Sequence, residues 1–397
     1  MPSATIRWGA WFEDTDIALA FPEGWDVTTC PPADAPDMTA HEVAAAIASP
    51  IGTPPLSVLA QGRSRPCIVI DDLSRPTRGD LLLPPLLAEL AEAGIPASDV
   101  LILGGVANHR PMVRSDLLKK LGPSVLAQCK YRNHFSWDHC TSIGETSWGT
   151  PVELNDDFLA CDLRILVGSI IPHGGAGFSG GAKLLLPGIA SIKAAHAYHT
   201  GSVLSGRYAV VETECRLESE EAARLAAVDF IVNSVPTSRL GVGAVVAGDV
   251  VAAHRAGVAR AQEILATDVP AGVDVGVFSL YPKDTEFIQH ITALAPYKTA
   301  SSPVVREGGS VVIAAAGNEG LGTHSLFGPG MALEIGRATR VKGRELAFYC
   351  PNIEPGEIDP EYVVFKTWGE TVAWLSARHG GSASVAVFPC GTMQLAR

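Results

Sequence analysis

The chain of 397 residues is 47% hydrophobic and only 18% charged. It is long and apolar enough to bury a sizeable core in two to three domains of ~150 residues, which excludes a disordered chain. Its net charge of −12 argues against a nucleic-acid partner, because phosphate backbones are met by basic surfaces.

In chain order, Cys67-Ile-Val-Ile70 reads as a buried strand and 81–94 as a helix closed by Gly94. Val100-Leu-Ile-Leu103 is the next strand, and 115–122 is a helix with a Ser cap and a Gly stop. Another strand covers 163–168, and an Ala/Arg-rich helix covers 252–265. A turn-rich patch at 266–272 precedes fresh strands at 273–278 and 311–315, then a helix near 370–378. This alternation predicts an α/β fold: two domains with mainly parallel sheets flanked by helices, and the active site in the cleft between them. The expected domains are 1–268 and 269–397. No run reaches the ~18–20 apolar residues of a membrane span. The acidic start MPSATIRWGAWFEDTD is unlike a signal peptide, so a cytoplasmic protein with no membrane partner is expected. The eight cysteines are scattered with no CxxC pair, which disfavours a thiolate zinc site and a disulfide framework.

In open parallel sheets, functional groups gather at the carboxyl ends of strands. Four segments stand there or nearby. Asp71-Asp-Leu-Ser-Arg-Pro-Thr-Arg78 offers an arginine fork for a carboxylate beside acids that can orient a donor, or a polar loop closed by a local ion pair. Gly104-Gly-Val-Ala-Asn-His-Arg-Pro-Met112 carries His109 on a Gly-rich loop, suited to proton transfer or simply packed under the next helix. His173 opens, and Lys183 closes, a loop with glycines at 174, 175, 177, 180 and 181. Such a loop can turn backbone amides toward a phosphate, although it is neither GxxxxGK[ST] nor GxGxxG. His196 and His199 share a helix face at i and i+3, a spacing open to one metal ion and common on plain surfaces too.

Together these segments resemble the nickel-pincer-nucleotide lactate racemase family of 2-hydroxy acid racemases and epimerases. The resemblance starts at Pro50-Ile-Gly-Thr-Pro-Pro-Leu56 and runs through Asp72-Leu-Ser-Arg-Pro76, Asn108-His-Arg-Pro111 and Asn133-His134. Its most specific part is Gly177-Phe-Ser-Gly-Gly-Ala-Lys183, followed by Leu186-Pro-Gly188 and His199. Weaker echoes stand at Tyr281-Pro-Lys-Asp284 and Asn318-Glu-Gly320.

The resemblance implies a covalent nickel-pincer nucleotide on Lys183, with nickel ligated by His199 and by the cofactor itself. It implies paired acid/base histidines, His109 and His173. Arg75 would bind the substrate carboxylate, and Gln289 would be a substrate-side polar residue. Asp72, with Gly177, Ser179, Gly180 and Gly181 of the glycine loop, would contact the cofactor. The implied reaction inverts C2 of a small 2-hydroxy acid by proton-coupled hydride transfer, and proteins that synthesise the cofactor are implied partners. Two positions depart from the family: Thr292 stands where its lactate enzymes carry a substrate lysine, and Ala182 where an arginine often precedes the anchoring lysine. The first departure bears on substrate identity and motivates a second reading, a cofactor-binding member without racemase activity. A nicotinamide-dependent dehydrogenase is a third, disfavoured by the absent dinucleotide fingerprint. The sequence carries nothing on oligomeric state.

Overall fold

The computed structural model describes residues 1–201, 207–326, 341–354, 356–358 and 360–397. Two units emerge. One joins Met1–Asp34 to Leu265–Arg397, and the other is Ala35–Ile264.

The Ala35–Ile264 unit is built on a six-stranded sheet. Across it lie Val242–Gly248, Phe230–Pro236, Leu163–Ser169, Pro66–Ile70, Leu101–Gly104 and Lys130–Asn133. Only the Phe230–Pro236 and Val242–Gly248 pair is antiparallel. Both faces of this sheet are covered, so its central strands read as unbroken apolar runs rather than alternating ones. Ile68, Ile70, Ile102, Ile165 and Val167 pack on one face with helices Ala40–Ala48, Gly79–Glu92 and Arg114–Gln128. Cys67, Val69, Leu103 and Leu166 pack on the other with Ile192–Gly201 and Glu214–Leu225. The helix expected to stop at Gly122 does break there, where φ is 75° and ψ is 160°, and a second helical stretch follows it to Gln128.

The second unit has a six-stranded, all-parallel sheet in the order Val363–Phe365, Glu345–Tyr349, Val305–Ala314, Val273–Ser279, Ser384–Phe388 and Asp26–Thr29. Residues 1–34, expected in the first domain, belong instead to the second unit. The reason is pairing and burial. Asp26–Thr29 adds to the edge of this sheet beside Ser384–Phe388. Ala4, Ile6 and Leu19 of the hairpin Ser3–Trp8/Thr15–Ala20 share a core with Val275, Val277, Val385 and Val387. The second division between the units lies at 264/265.

Topology places the candidate site. From Pro66–Ile70 the chain winds outward through Leu101–Gly104 to Lys130–Asn133. It then returns to the other flank of Pro66–Ile70 with Leu163–Ser169. Ile70 is in register with Gly104 on one side and Val167 on the other. Three neighbouring strands therefore end together at the point where the strand order reverses, the place where such sheets open a crevice.

Candidate active site

Asp72 leaves the end of Pro66–Ile70 and is buried. Its Oδ1 accepts from the Ser74 backbone N (2.8 Å) and the Ser74 hydroxyl (2.5 Å). Its Oδ2 lies 3.1 Å from His109 Nδ1. Burial alone would raise this carboxyl. The His109 imidazole and the Arg75 guanidinium outweigh it and hold the group well below the ordinary carboxylate range. A carboxylate at Nδ1 fixes the imidazole with its proton there and leaves Nε2 as the basic atom. Asp72, implied to contact a cofactor, is thus also the orienting partner of His109.

Arg75 is half-buried, and its Nη1 donates to the Ser74 carbonyl (3.1 Å) and the Ser74 hydroxyl (2.8 Å). The loop is fastened from below by Lys120. This fully buried ammonium pairs with Asp71 Oδ1 at 2.6 Å and donates to the carbonyls of Asp72 (2.7 Å) and Arg75 (3.0 Å). Arg78 forks onto Asp80 at 2.7–2.8 Å, so its charge is matched locally. The preceding neighbour of His109, Asn108, is buried, and among the described residues neither of its amide atoms has a hydrogen-bond partner.

His173 follows Leu163–Ser169. Its Nδ1 accepts from the backbone N of Gly175 (3.1 Å) and of Ala176 (3.2 Å), so the neutral ring carries its proton on Nε2. In this arrangement His109 presents a ring lone pair on Nε2 and His173 an N–H donor.

The glycine loop is held tightly inward. Arg216, fully buried, donates to the carbonyls of Gly180 (3.0 Å), Phe178 (2.5 Å) and Ser179 (3.4 Å). His254 Nε2 lies 2.9 Å from the Ser179 carbonyl. The Ser179 hydroxyl donates to the Ser169 carbonyl at 2.7 Å and accepts from Ile171 N at 3.0 Å. Gly181 N donates to Asn233 at 2.8 Å. Gly177 has φ of 69°, and a β-carbon there would overlap the Val210 carbonyl. Close packing thus accounts for glycine at 177, and Ser179 and Gly181 are engaged within the protein.

Lys183 leaves this loop with its ammonium 5.6 Å from the Tyr198 ring centre. Burial pushes its pKa down to about 8. The Cys215 thiol opposes the shift, and the guanidinium groups of Arg216 and Arg75 add to it. An amine so depressed is a nucleophile near neutral pH. His199, on helix Ile192–Gly201, has Nδ1 2.6 Å from the Ala195 carbonyl. That leaves Nε2 to face a metal, the arrangement usual for histidine ligands. Burial lowers its pKa to about 4, against the Ala195 bond, with Lys183, His196 and His109 adding repulsion. These charges act on one another, so Arg75, His109, Lys183 and His199 share one region of the unit. Among the described residues no group of three or more His, Cys, Asp or Glu could hold a metal.

Gln289 lies in the other unit, in the helical segment Phe287–Leu294, where the Thr292 hydroxyl donates to its carbonyl at 2.8 Å. His134, quoted in the sequence resemblance, is structural. Its Nε2 lies 3.0 Å from the Ala190 carbonyl and its Nδ1 is 3.3 Å from the Asn155 amide, and burial lowers its pKa to about 4. Sequence reasoning assigned no role to Ser74, Lys120 or Arg216. Lys120 alone left a trace, as a charge on the face of its helix that carries Leu117 and Leu121.

The oriented imidazole of His109, the half-buried guanidinium of Arg75 and the depressed amine of Lys183 belong to a mainly parallel sheet with a switch point, the place where enzymes of this architecture gather their functional groups. Residues 12–210 match the lactate racemase N-terminal domain. The lactate racemase of Lactiplantibacillus plantarum is 30% identical over 288 residues, 70% of this chain and 66% of that protein. The lactate racemase of Thermoanaerobacterium thermosaccharolyticum is 30% identical over 289 residues, 71% and 67% of the two chains. The aligned stretch thus spans about two thirds of these curated relatives. In fold, the lactate racemase apoprotein from Thermoanaerobacterium thermosaccharolyticum superposes with a TM-score of 0.77 at 22% identity over the whole of both chains. A Thermotoga maritima protein superposes with a TM-score of 0.67 at 17% identity, covering 91% of this chain and 99% of that one. The chain belongs to the lactate racemase family, as the sequence resemblance implied. No helix among the described residues is long and apolar enough to cross a membrane.

Proposed function

We propose that this protein racemises or epimerises a small 2-hydroxy acid at C2, using a nickel-pincer nucleotide bound covalently to Lys183 and ligated through nickel by His199. The observation that carries the reading is the buried network in which Asp72 and Ser74 tie the His109 base to the Arg75 guanidinium. The residues present suit the group: Lys183 offers a nucleophilic amine, and His199 offers a neutral imidazole with Nε2 available.

The hydrogen on C2 of a 2-hydroxy acid is too weakly acidic for direct removal by histidine. The chemistry the bound cofactor would supply is reversible uptake of that hydrogen with its electron pair. The chain does the rest. Arg75 binds the carboxylate, using the edge not committed to Ser74. His109 Nε2 takes the hydroxyl proton as C2 becomes planar. His173, in its imidazolium form, returns a proton to the oxygen when C2 is rebuilt from its other side and is left neutral; exchange with solvent resets both rings, and the reverse turnover exchanges these roles. For Gln289, the substrate-side role rests on the resemblance.

The test is expression together with the cofactor-synthesis proteins, then metal analysis, intact mass and chiral analysis of single-enantiomer 2-hydroxy acids. Nickel, a mass adduct lost in Lys183→Ala, and racemisation lost in His109→Ala and His173→Ala with the adduct retained are expected. Normal turnover in either histidine variant would break the two-base scheme. A loaded parent inert toward every acid tried would favour the cofactor-binding reading without racemase activity.

A further inference from the structure

We infer that Ser74 is a positioning residue whose hydroxyl fixes the carboxylate-binding guanidinium of Arg75 and the basic imidazole of His109 relative to each other. The inference rests on the function proposed above and adds the device that sets the substrate's pose.

A serine hydroxyl has one proton to give and two lone pairs to share. In this loop all three are used. The O–H donates to Asp72 Oδ1 at 2.5 Å, because an ionised carboxylate can only accept. One lone pair accepts from Arg75 Nη1 at 2.8 Å. The other faces His109 Nδ1 at 3.1 Å, so the Nδ1 proton is shared between Ser74 and Asp72 Oδ2, also at 3.1 Å. With its proton already given to Asp72, Ser74 can only accept from His109. The ring must then hold its proton on Nδ1 and its lone pair on Nε2.

The same count fixes Arg75. Nη1 is committed to the Ser74 hydroxyl and carbonyl, so Nη2 and Nε form the edge that meets a carboxylate with two parallel hydrogen bonds. The backbone on either side of Ser74 is pinned by Lys120 through the carbonyls of Asp72 and Arg75. Ser74 itself is buried, so solvent does not substitute for the hydroxyl. A 2-hydroxy acid carries its carboxylate and hydroxyl on adjacent carbons. Once the carboxylate sits on Arg75, the hydroxyl meets His109 Nε2 only if guanidinium and imidazole keep one separation, and a misplacement of about 1 Å is costly to rate.

The experiment uses the loaded protein. Binding of glycolate, a 2-hydroxy acid with no stereocentre, is measured by calorimetry. Then kcat and KM are measured with the acid that the parent racemises best. Ser74→Ala should bind glycolate about 10-fold more weakly and lose about 10-fold or more in kcat, the size expected for one buried hydrogen bond to a charged group. Ser74→Thr, which keeps the hydroxyl, should restore both to within about 3-fold. Parent-like binding and kcat in Ser74→Ala would overturn the inference, as would a folded Ser74→Thr no better than Ser74→Ala. If Ser74→Ala fails to fold, Ser74→Cys keeps the bulk, weakens the bonds and is read the same way. A parent that neither binds glycolate nor turns over any 2-hydroxy acid would sink the functional reading and this inference with it. A parent that binds while Ser74→Ala is unaffected sinks this inference alone.

Discussion

Lys183 shows how much of a residue's chemistry comes from its surroundings. An exposed lysine titrates near 10.4 and is almost entirely charged at neutral pH. Burial brings Lys183 to about 8, with Arg216 and Arg75 reinforcing the shift and Cys215 resisting it. The amine is therefore roughly half neutral at pH 8. In protein made without the cofactor-synthesis machinery, an amine-acylating reagent should modify Lys183 faster than the exposed Lys193, which is paired with Glu153 at 3.0 Å. The rate at Lys183 should rise through pH 8 and level off by about pH 9. Peptide mapping by mass spectrometry resolves the two sites, and equal labelling at pH 8 would contradict the depressed amine. The lysine's position was legible because it closes a loop of unusual glycine density. The groups that tune and brace the site were not. Arg216 sits in an acidic, ordinary-looking helix segment, ECRLESEEAARL. Its charge becomes meaningful only once the fold brings the carbonyls of Phe178, Ser179 and Gly180 to it.

At the level of elements, legibility followed burial. Pro66–Ile70, Leu101–Gly104 and Leu163–Ser169 are nearly continuous apolar runs because helices cover both their faces. Phe230–Pro236 escaped because Asn233, Ser234 and Pro236 interrupt it. Asn233 is buried there since its side chain receives Gly181 N, a contact that no local pattern encodes. Asp26–Thr29 escaped for another reason: it is a polar edge strand whose partner, Ser384–Phe388, lies at the opposite end of the chain. The glycine loop invites a phosphate-cradle reading, and its contacts show a second demand. Gly177→Ala would force a positive φ on alanine and drive its β-carbon into the Val210 carbonyl, so residues 172–178 and 207–210 must part. A loss of roughly 2 kcal/mol or more is expected, a fall of several degrees in Tm. Thermal unfolding followed by circular dichroism checks this. An unchanged Tm would mean that the loop does not depend on that close approach.

At the scale of the whole chain, the unit formed by Met1–Asp34 and Leu265–Arg397 joins two distant stretches of sequence, and Asp284 is one of its fasteners. The Asp284 carboxyl is fully buried and accepts from Gly9 N (2.8 Å) and Ala10 N (3.1 Å) at the tip of the N-terminal hairpin. Burial raises its pKa to about 7. The two amides oppose the rise, and the Asp14 charge adds to it. In the unfolded chain the same group titrates near ~3.9. Between these values the folded state binds more protons than the unfolded one, so stability declines as pH increases. The contribution is complete below about pH 4, is lost through about pH 7 and is flat above that. Its full size is on the order of 4 kcal/mol. Denaturant melts of the parent at pH 5, 6, 7 and 8 should show falling stability across the first three and little further change from this group. Asp284→Asn cannot ionise, so its curve should lack that slope even if one hydrogen bond to the hairpin tip is weakened and absolute stability drops. The slope difference between parent and variant is the quantity to measure, because other titrating groups contribute alike to both. Parallel curves would mean that Asp284 is not the carboxyl that holds its proton in the folded unit.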